Sequence, residues 1–203
     1  MAAASPVILT GAVEGSVDQA VLRRLVGETK ATLGQVYGLQ GKDQLLKRLS
    51  AYNQAAKSTP WVIIIDLDRD TECVPACSRR WLPDPAPGMC LRIVVRAVEA
   101  WLLADREALA RFLGISVSPV PRRPETINDP KRALVGLARR SRKRKLREDM
   151  VPEPGGRAVG PRYSDRLIEF ADCHWRPDMA ARSSDSLRRC RLRLRELIMS
   201  RTS

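Results

Sequence analysis

The segment WVIIIDLDRD, residues 61–70, joins two different kinds of sequence. Its first half, residues 61–65, is a continuous apolar run, which favours a strand buried on both faces of a parallel sheet. Its second half places three carboxylates at alternate positions, Asp66, Asp68 and Asp70. Because functional groups of open α/β sheets collect beyond the carboxyl ends of the strands, this segment predicts an acidic site at one edge of a sheet.

The sequence on either side alternates between strand and helix patterns. Strands are predicted at residues 6–12, 35–40, 61–65 and 91–95. Helical apolar spacing follows the first two, and the fourth strand runs into a helix that Gly114 closes. This alternation predicts an α/β fold with a mainly parallel sheet flanked by helices. We expect a core domain over residues 1–114.

Residues 115–203 have a different character and predict a basic, mostly helical extension packed on the core. Residues 131–147 form a plausible basic helix, and the chain ends in a helical pattern whose alternation also fits a strand. The proline-rich segments at residues 71–89, 115–130 and 151–162 predict loops or insertions.

Charge is the strongest compositional feature. The 203 residues include 36 Lys and Arg against 23 Asp and Glu, which gives a net charge of +13. Such an excess attracts polyanions, of which nucleic acid is the commonest; a basic proteome or an acidic protein partner is the alternative.

The sequence also predicts a cytoplasmic protein that does not enter a membrane. No apolar run approaches the ~20 residues that a transmembrane helix needs. The first apolar stretch lacks the preceding basic segment of a signal peptide, and five scattered cysteines do not form a secreted disulfide framework.

A second acidic cluster follows the first predicted strand. Glu14 comes directly after it, and Asp18 lies in the first turn of the next helix. If the first and third strands are neighbours, up to five carboxylates meet, and their repulsion requires cations between them. Oxygen ligands with few His or Cys suit one or two Mg²⁺ or Mn²⁺ ions.

Each carboxylate also has a simpler interpretation. Asp18 could complement the helix dipole, Glu14 could accept hydrogen bonds from turn amides, and Asp70 could be an ordinary loop residue. Glu99, on the helix after the fourth strand, is either a further metal ligand or a structural residue held by an internal salt bridge or a backbone contact. Arg96, three residues earlier, is a candidate partner.

The two acidic motifs resemble the Toprim domain, which topoisomerases, bacterial primases and OLD-family nucleases share. The resemblance covers residues 6–114. It implies that Glu14 acts as general acid, general base or metal ligand, and that Asp66 and Asp68 hold Mg²⁺. Asp70 completes the longer form of the motif, and Asp18 resembles the extra carboxylate of two-metal OLD-type nucleases.

A broader resemblance spans nearly the whole chain. VEGSVDQAVL, IIIDLDRD, VRAVEAWLLAD, DPK at residues 129–131 and SSDSLRRC are similar to a bacterial Toprim-like family of unknown function. Its members often lie beside ABC-type ATPases in defence islands, which implies an anti-phage role with an ABC- or AAA-type ATPase partner. The tyrosines give no indication of topoisomerase chemistry, so hydrolysis of a phosphodiester is favoured.

Seven basic residues of the C-terminal part are predicted to contact the backbone of DNA or RNA, and the sequence does not separate the two. They offer charge without interleaved aromatic residues, which favours phosphate contact over base recognition. A solvated helix face or a dock for an acidic partner is the alternative. The seven are Arg139, Arg140, Arg142, Lys143, Arg144, Lys145 and Arg147.

A zinc site is not expected. Cys73, Cys77, Cys173 and His174 are candidate ligands, but their spacing fits a zinc motif only loosely. The leading hypothesis from the sequence is therefore a Mg²⁺-dependent Toprim nuclease. The second is a non-catalytic nucleic-acid- or partner-binding subunit with a structural cation.

Overall fold

A four-stranded parallel sheet forms the centre of the molecule. The computed structural model describes residues 6–68 and 73–201. The strands are β1 (Ile8–Val13), β2 (Thr32–Gly38), β3 (Trp61–Asp66) and β4 (Met89–Val94). Their order is β2-β1-β3-β4, and every neighbouring pair is parallel. The predicted α/β class with a parallel sheet flanked by helices is confirmed.

Strand β3 lies between β1 and β4 and is buried on both faces, as its apolar sequence predicted. All five residues from Trp61 to Ile65 are buried. Ile63 and Ile65 pack with α2 (Lys42–Ala55) on one face of the sheet. Val62 and Ile64 pack on the other face with α1 (Ser16–Gly27) and the later helices.

The segment at residues 71–89 is not entirely a loop, and that prediction is wrong for helix α3 (Val74–Trp81). Its proline content suggested irregular structure, but Pro75 lies in the first turn of α3, where a missing amide N–H costs nothing. Cys77 is buried with Leu67 and Ile93, with Trp81 packed beside them, so one face of α3 covers the sheet near the end of β3.

The helical segment after β4 is two helices, α4 (Val98–Ala104) and α5 (Arg106–Leu113). They meet at Asp105, whose side chain accepts a hydrogen bond from the Ala108 N–H and pairs with Arg176 at 2.7 Å. Gly114 ends α5 in a left-handed conformation, φ 67°, so the predicted helix end is confirmed.

The C-terminal part is helical. Its helices are α6 (Pro130–Arg139), α7 (Arg144–Met150), α8 (Tyr163–Cys173), α9 (Pro177–Ala180) and α10 (Asp185–Met199), with a 3-10 turn at Pro124–Thr126. The single basic helix predicted over residues 131–147 is instead two helices, separated at residues 140–143. The end of the chain is a helix and not a strand. Among the described residues, no helix has both the length and the apolar character needed to cross a membrane.

One buried apolar cluster joins both parts of the chain. Leu9 and Ile64 of the sheet share it with Leu134 of α6, Phe170 of α8 and Leu194 of α10. Helix α1 packs against α8, and α10 packs against β4. The C-terminal helices therefore pack on the same side of the sheet as α1 and α4.

The SSDS segment at residues 183–186 explains how α10 is anchored. Ser184 caps α10, and Glu125 accepts hydrogen bonds from the Ser184 hydroxyl and from the backbone N–H of Ser186. The Ser186 hydroxyl in turn accepts a 2.7 Å hydrogen bond from the buried Trp101 indole. Resemblance in this segment therefore reflects packing of α10 on α4 rather than chemistry.

Two glycines predict stability changes of opposite sign. Gly114 has a positive φ and a Cβ there would contact Lys143 at 3.3 Å, so Gly114→Ala should lower the free energy of unfolding by about 1 kcal/mol. Gly136 lies inside α6 with open space at its Cβ position, so Gly136→Ala should raise it by about 1 kcal/mol. Urea titrations of both variants test this, and equal effects would contradict it.

Candidate functional site: an acidic cluster at the carboxyl edge of the sheet

The two predicted acidic clusters meet because β1 and β3 are neighbours in the sheet. Ala12 of β1 pairs with Ile63 of β3, so the carboxyl ends of both strands open at the same edge. The backbone N–H of Asp66 donates a 2.8 Å hydrogen bond to Glu14 Oε1. Glu14 therefore lies directly against the end of β3, although Asp66 follows it by 52 residues in the chain.

Asp66 joins the sheet to the helix after β4. Its Oδ1 atom accepts a 3.1 Å hydrogen bond from the backbone N–H of Val98, the first residue of α4. This contact brings the start of α4, and with it Glu99, to the carboxyl edge of the sheet. Asp66 thus has one oxygen that holds local structure and a second oxygen without such a contact.

Asp18 lies in the first turn of α1, as predicted, and its side chain is buried. It is only 7% exposed, and its Oδ1 atom has no hydrogen-bond partner in the described part of the chain. Backbone amides at the start of α1, at Gly15 and Asp18, act to lower its pKa, as expected of a carboxylate that complements a helix dipole. Burial of an unpartnered carboxylate oxygen is costly, so this atom points to an interaction that the described residues do not supply.

Glu99 is buried, with 4% exposure, and has two partners that the sequence did not suggest. The Tyr163 hydroxyl donates to Glu99 Oε1 at 3.4 Å, and Lys131 Nζ lies 3.7 Å from the same atom. Arg96, which the sequence offered as its partner, donates instead to the backbone oxygen of Asp68 at 3.2 Å. Glu99 therefore forms an internal ion pair, as the simpler interpretation expected, but with Lys131 instead of Arg96.

Burial, together with the charges of neighbouring carboxyls, raises the pKa values of several members of the cluster. Burial, assisted by the charge of Asp18, raises the pKa of Glu14 to about 7. Burial and the charge of Glu99 raise the pKa of Asp18 to about 7. The pKa of Asp66 lies well above its usual range because of burial and the charges of Asp18, Glu14 and Glu99. Groups this closely coupled act as one site.

Asp68 lies at the rim of the cluster. Its side chain is 52% exposed and pairs with Lys42 Nζ at 3.2 Å, and Lys42 also donates to the Leu67 oxygen at 3.3 Å. Its backbone has φ 55°, in the left-handed region. Asp70, the last predicted carboxylate, lies outside the described residues.

A small cavity adjoins the cluster. It has a volume of about 150 Å³ and its wall includes Asp66 and Asp68 together with two cations, Arg96 and Lys131. Asn128 and Asp129, just before α6, complete that wall. Carboxylates and cations that line one cavity suit a ligand that carries an anionic group next to a cation.

The carboxylates are not arranged as a finished metal centre. Within residues 6–68 and 73–201, no three His, Cys, Asp or Glu side chains are placed as ligands of one ion. Glu14 and Asp66 each direct one oxygen at a backbone N–H, and Asp68 faces Lys42. The donor set nevertheless fits a hard divalent cation, since it consists of carboxylate oxygens and includes the buried, unpartnered Asp18 Oδ1.

The seven predicted nucleic-acid contacts do not form one surface. Arg139 lines a groove along α6, Arg140 and Arg142 line a second concavity, and Lys143 and Lys145 line a third. Three of the seven side chains bond to other groups of the protein. Lys143 Nζ donates to the Phe112 oxygen at 2.8 Å, Arg144 pairs with Glu148 at 2.8 Å, and Arg147 donates to the Ser141 oxygen.

The arginines of α10 are largely neutralised within the protein. Arg188 and Arg189 pair with Asp185, Arg191 pairs with Glu28, and Arg193 pairs with Glu196. This helix therefore offers less free positive charge than its sequence suggests.

The candidate zinc ligands have other surroundings. Cys77, on the inner face of α3, is buried, whereas Cys73 and Cys173 are exposed. The His174 ring packs against Phe112 with 5.4 Å between ring centroids. These contacts account for His174 as a packed surface residue.

No family model matches the chain, and no characterised protein or solved structure shows significant similarity to it. Its relationship to Toprim domains therefore stays a prediction from the sequence motifs.

Proposed function

We propose that this protein is a divalent-cation-dependent nuclease that hydrolyses phosphodiester bonds of nucleic acid at the carboxyl edge of its sheet. One observation carries the proposal: the carboxyls of Asp18 and Asp66 lie within electrostatic reach of Glu14 and Glu99 at one edge of the sheet, and the buried Asp18 Oδ1 has no hydrogen-bond partner among the described residues. A Toprim-like identity is part of the same proposal.

The carboxylates would hold the cation. Asp18, Asp66, Glu14 and Glu99 supply hard oxygen donors, which select Mg²⁺ or Mn²⁺ over softer metals. When bound, such a cation neutralises charge on a phosphate and lowers the pKa of a water molecule. Asp68, exposed at the rim beside Lys42, is available to a second cation or to substrate.

The cations next to the cluster suit the phosphate. Arg96 and Lys131 line the same cavity as Asp66 and Asp68, where they would orient a phosphodiester and offset its negative charge. Lys131 is positioned by its contact with Glu99, and Arg96 by its bond to the Asp68 backbone oxygen. Substrate charge, cation and basic side chains would then alternate across the site.

A cleavage assay tests this function. We expect the purified chain to cut labelled DNA or RNA when Mg²⁺ or Mn²⁺ is present, and chelation of the metal to abolish cutting. Because the resemblance implies an ATPase partner, the assay is run alone and with the product of a neighbouring gene. Cutting that persists in excess chelator would contradict the proposed role of the carboxylates.

A second function has a specific observation in its favour. Glu14 and Asp66 each accept a backbone hydrogen bond that ties strand ends to neighbouring elements, as structural carboxylates do. The protein would then be a non-catalytic binding subunit for nucleic acid or for another macromolecule, with a cation of structural role. Salt-sensitive nucleic-acid binding without cleavage under any metal would favour this alternative. The anti-phage role and the ATPase partner stay predictions from the resemblance.

A further inference from the structure

A groove runs along the exposed side of α6. Its volume is about 390 Å³, and α6 contributes Lys131, Arg132, Gly136 and Arg139 to its wall. Val135 of α6, Asp129 just before it and Ala158, in the loop between α7 and α8, also line the groove. The sequence named only Arg139 of these residues as a candidate contact.

The groove adjoins the acidic site. Asp129 and Lys131 line both the groove and the cavity that contains Asp66 and Asp68. Lys131 stands at the junction, 3.7 Å from Glu99. From there to Arg139 is eight residues of helix, or about 12 Å. A linear ligand in the groove would therefore end at the carboxylates.

Positive charge dominates the groove. Arg132 and Arg139 are exposed, and neither side chain forms a hydrogen bond or ion pair with the described residues. The one carboxylate of the wall, Asp129, is engaged as the cap of α6 and accepts a 2.8 Å hydrogen bond from the Arg132 N–H. Two arginines without internal partners, beside Lys131, are suited to anionic groups.

Gly136 keeps the floor of the groove open. Glycine inside a helix lowers helix stability relative to other residues, so its presence usually has a packing reason. No such reason exists here: a Cβ at Gly136 would contact nothing within 4 Å, and its backbone is ordinary helix. What the glycine provides is a surface between Arg132 and Arg139 without a side chain.

We propose that this groove, formed by Lys131, Arg132, Gly136, Arg139 and Ala158, binds the phosphodiester backbone of a nucleic acid and guides it to the acidic site. The inference rests on the proposed nuclease function and identifies where its substrate lies. A length of about 12 Å accommodates roughly three phosphates at duplex spacing. Since no aromatic side chain lines the groove, it recognises backbone charge and not base identity.

Salt dependence of binding tests the groove directly. Binding of labelled DNA and RNA duplexes of one sequence to the full chain is followed by fluorescence anisotropy in EDTA, over a range of KCl concentrations. Arg132→Ala and Arg139→Ala should each weaken binding about 3- to 10-fold and reduce the slope of log K against log salt by about 1. The difference between the DNA and RNA arms identifies the preferred substrate.

A charge-matched control is available on the opposite face of the sheet. Lys47 and Arg48 of α2 are exposed, so Lys47→Ala/Arg48→Ala removes the same charge as Arg132→Ala/Arg139→Ala. Gly136→Gln adds a neutral side chain to the groove and should weaken binding without removing a charge. Thermal melting of each variant verifies that it is folded.

The outcomes separate the groove from the nuclease. Equal slopes for the two double variants, or no binding of either duplex by the wild-type chain, would overturn the groove. Groove-dependent binding without metal-dependent cleavage would leave the groove in place and reject the nuclease. Cleavage that the groove substitutions do not alter would reject the groove and retain the nuclease.

Discussion

Asp66→Asn should reduce metal-dependent cleavage by at least about 100-fold, which corresponds to roughly 3 kcal/mol of transition-state stabilisation. Asp66 lies where Glu14, Asp18 and Glu99 converge, so its charge is central to holding a divalent cation. Asparagine has the same shape, and its oxygen can still accept the hydrogen bond from the Val98 N–H. Loss of activity would therefore reflect loss of the carboxylate rather than loss of α4 positioning.

Asp84→Asn is the matched control for this experiment. Asp84 is exposed near the start of β4, where its backbone oxygen accepts a hydrogen bond from Asn53, at the edge of the sheet opposite the site. The same chemical change there should leave the cleavage rate unaltered. If Asp66→Asn and Asp66→Asn/Asp68→Asn both cleave as fast as Asp84→Asn, the acidic cluster is not the catalytic site.

The fold was predictable because its determinants are local. The apolar run at residues 61–65 needs no distant partner to indicate a buried strand, and strand–helix alternation then limits the sheet to parallel connections. Convergence of Glu14 and Asp66 was predictable only as a condition, since it requires that β1 and β3 be neighbours. The observed order β2-β1-β3-β4 meets that condition.

Local pattern was least informative where distant residues decide the structure. The apolar spacing of residues 98–112 continues through Asp105, yet the helix breaks there, and Arg176 lies opposite that carboxylate. Helix α3 was missed because prolines outweighed the spacing of Cys77 and Trp81. In both cases tertiary contacts overrode the propensity of the segment.

The site residues that sequence reasoning missed come from other elements. Tyr163 approaches Glu99 from α8, sixty-four positions further along, and no spacing could indicate this contact. Lys42 was accessible to the reasoning that placed Glu14, because it begins the helix after β2 and so lies at the same edge of the sheet. Lys131 belongs to the DPK segment, whose resemblance was noted without a role.

The number of basic residues at 139–147 overestimated the positive charge available on one surface. A sequence gives the number of charges and not the direction in which the side chains point. The break between α6 and α7 sends successive residues to different concavities, and Lys143, Arg144 and Arg147 bond within the protein. The groove along α6 depends instead on Arg132 and Arg139, which are seven apart and on the same helix.

The same carboxylates should make the stability of the metal-free protein depend on pH, which can be measured without any substrate. The pKa values of Glu14 and Asp18 lie near 7, above their usual range, so the folded protein binds protons there that the unfolded chain has released. Stability from these groups is present at low pH and is lost as the pH rises through about 7. The metal-free protein should therefore unfold more easily at pH ~8 than at pH ~5.5, as far as these groups contribute.

Mn²⁺ or Mg²⁺ should reverse this loss. A divalent cation binds the ionised carboxylates and competes with protons, so it should raise Tm strongly at pH ~8 and weakly at pH ~5.5. Differential scanning fluorimetry in EDTA and in MnCl₂ at both pH values measures the effect. A Tm shift by Mn²⁺ that is equal at the two pH values would contradict binding at this cluster.

Asp18→Asn distinguishes this explanation from a general effect of salt. Asparagine removes one of the repelling charges, so the metal-free variant should be more stable than wild type at pH ~8, by about 2 kcal/mol or roughly 4–8 °C in Tm. At pH ~5.5 this gain should be about half as large, because Asp18 is then protonated in the folded protein but still ionised in the unfolded chain. Mn²⁺ should stabilise the variant less than wild type. Asp84→Asn, again the control, should behave as wild type throughout. A destabilised Asp18→Asn protein at pH ~8 would mean that the ionised carboxylate has a partner of its own, and the buried Asp18 Oδ1 would no longer indicate a cation.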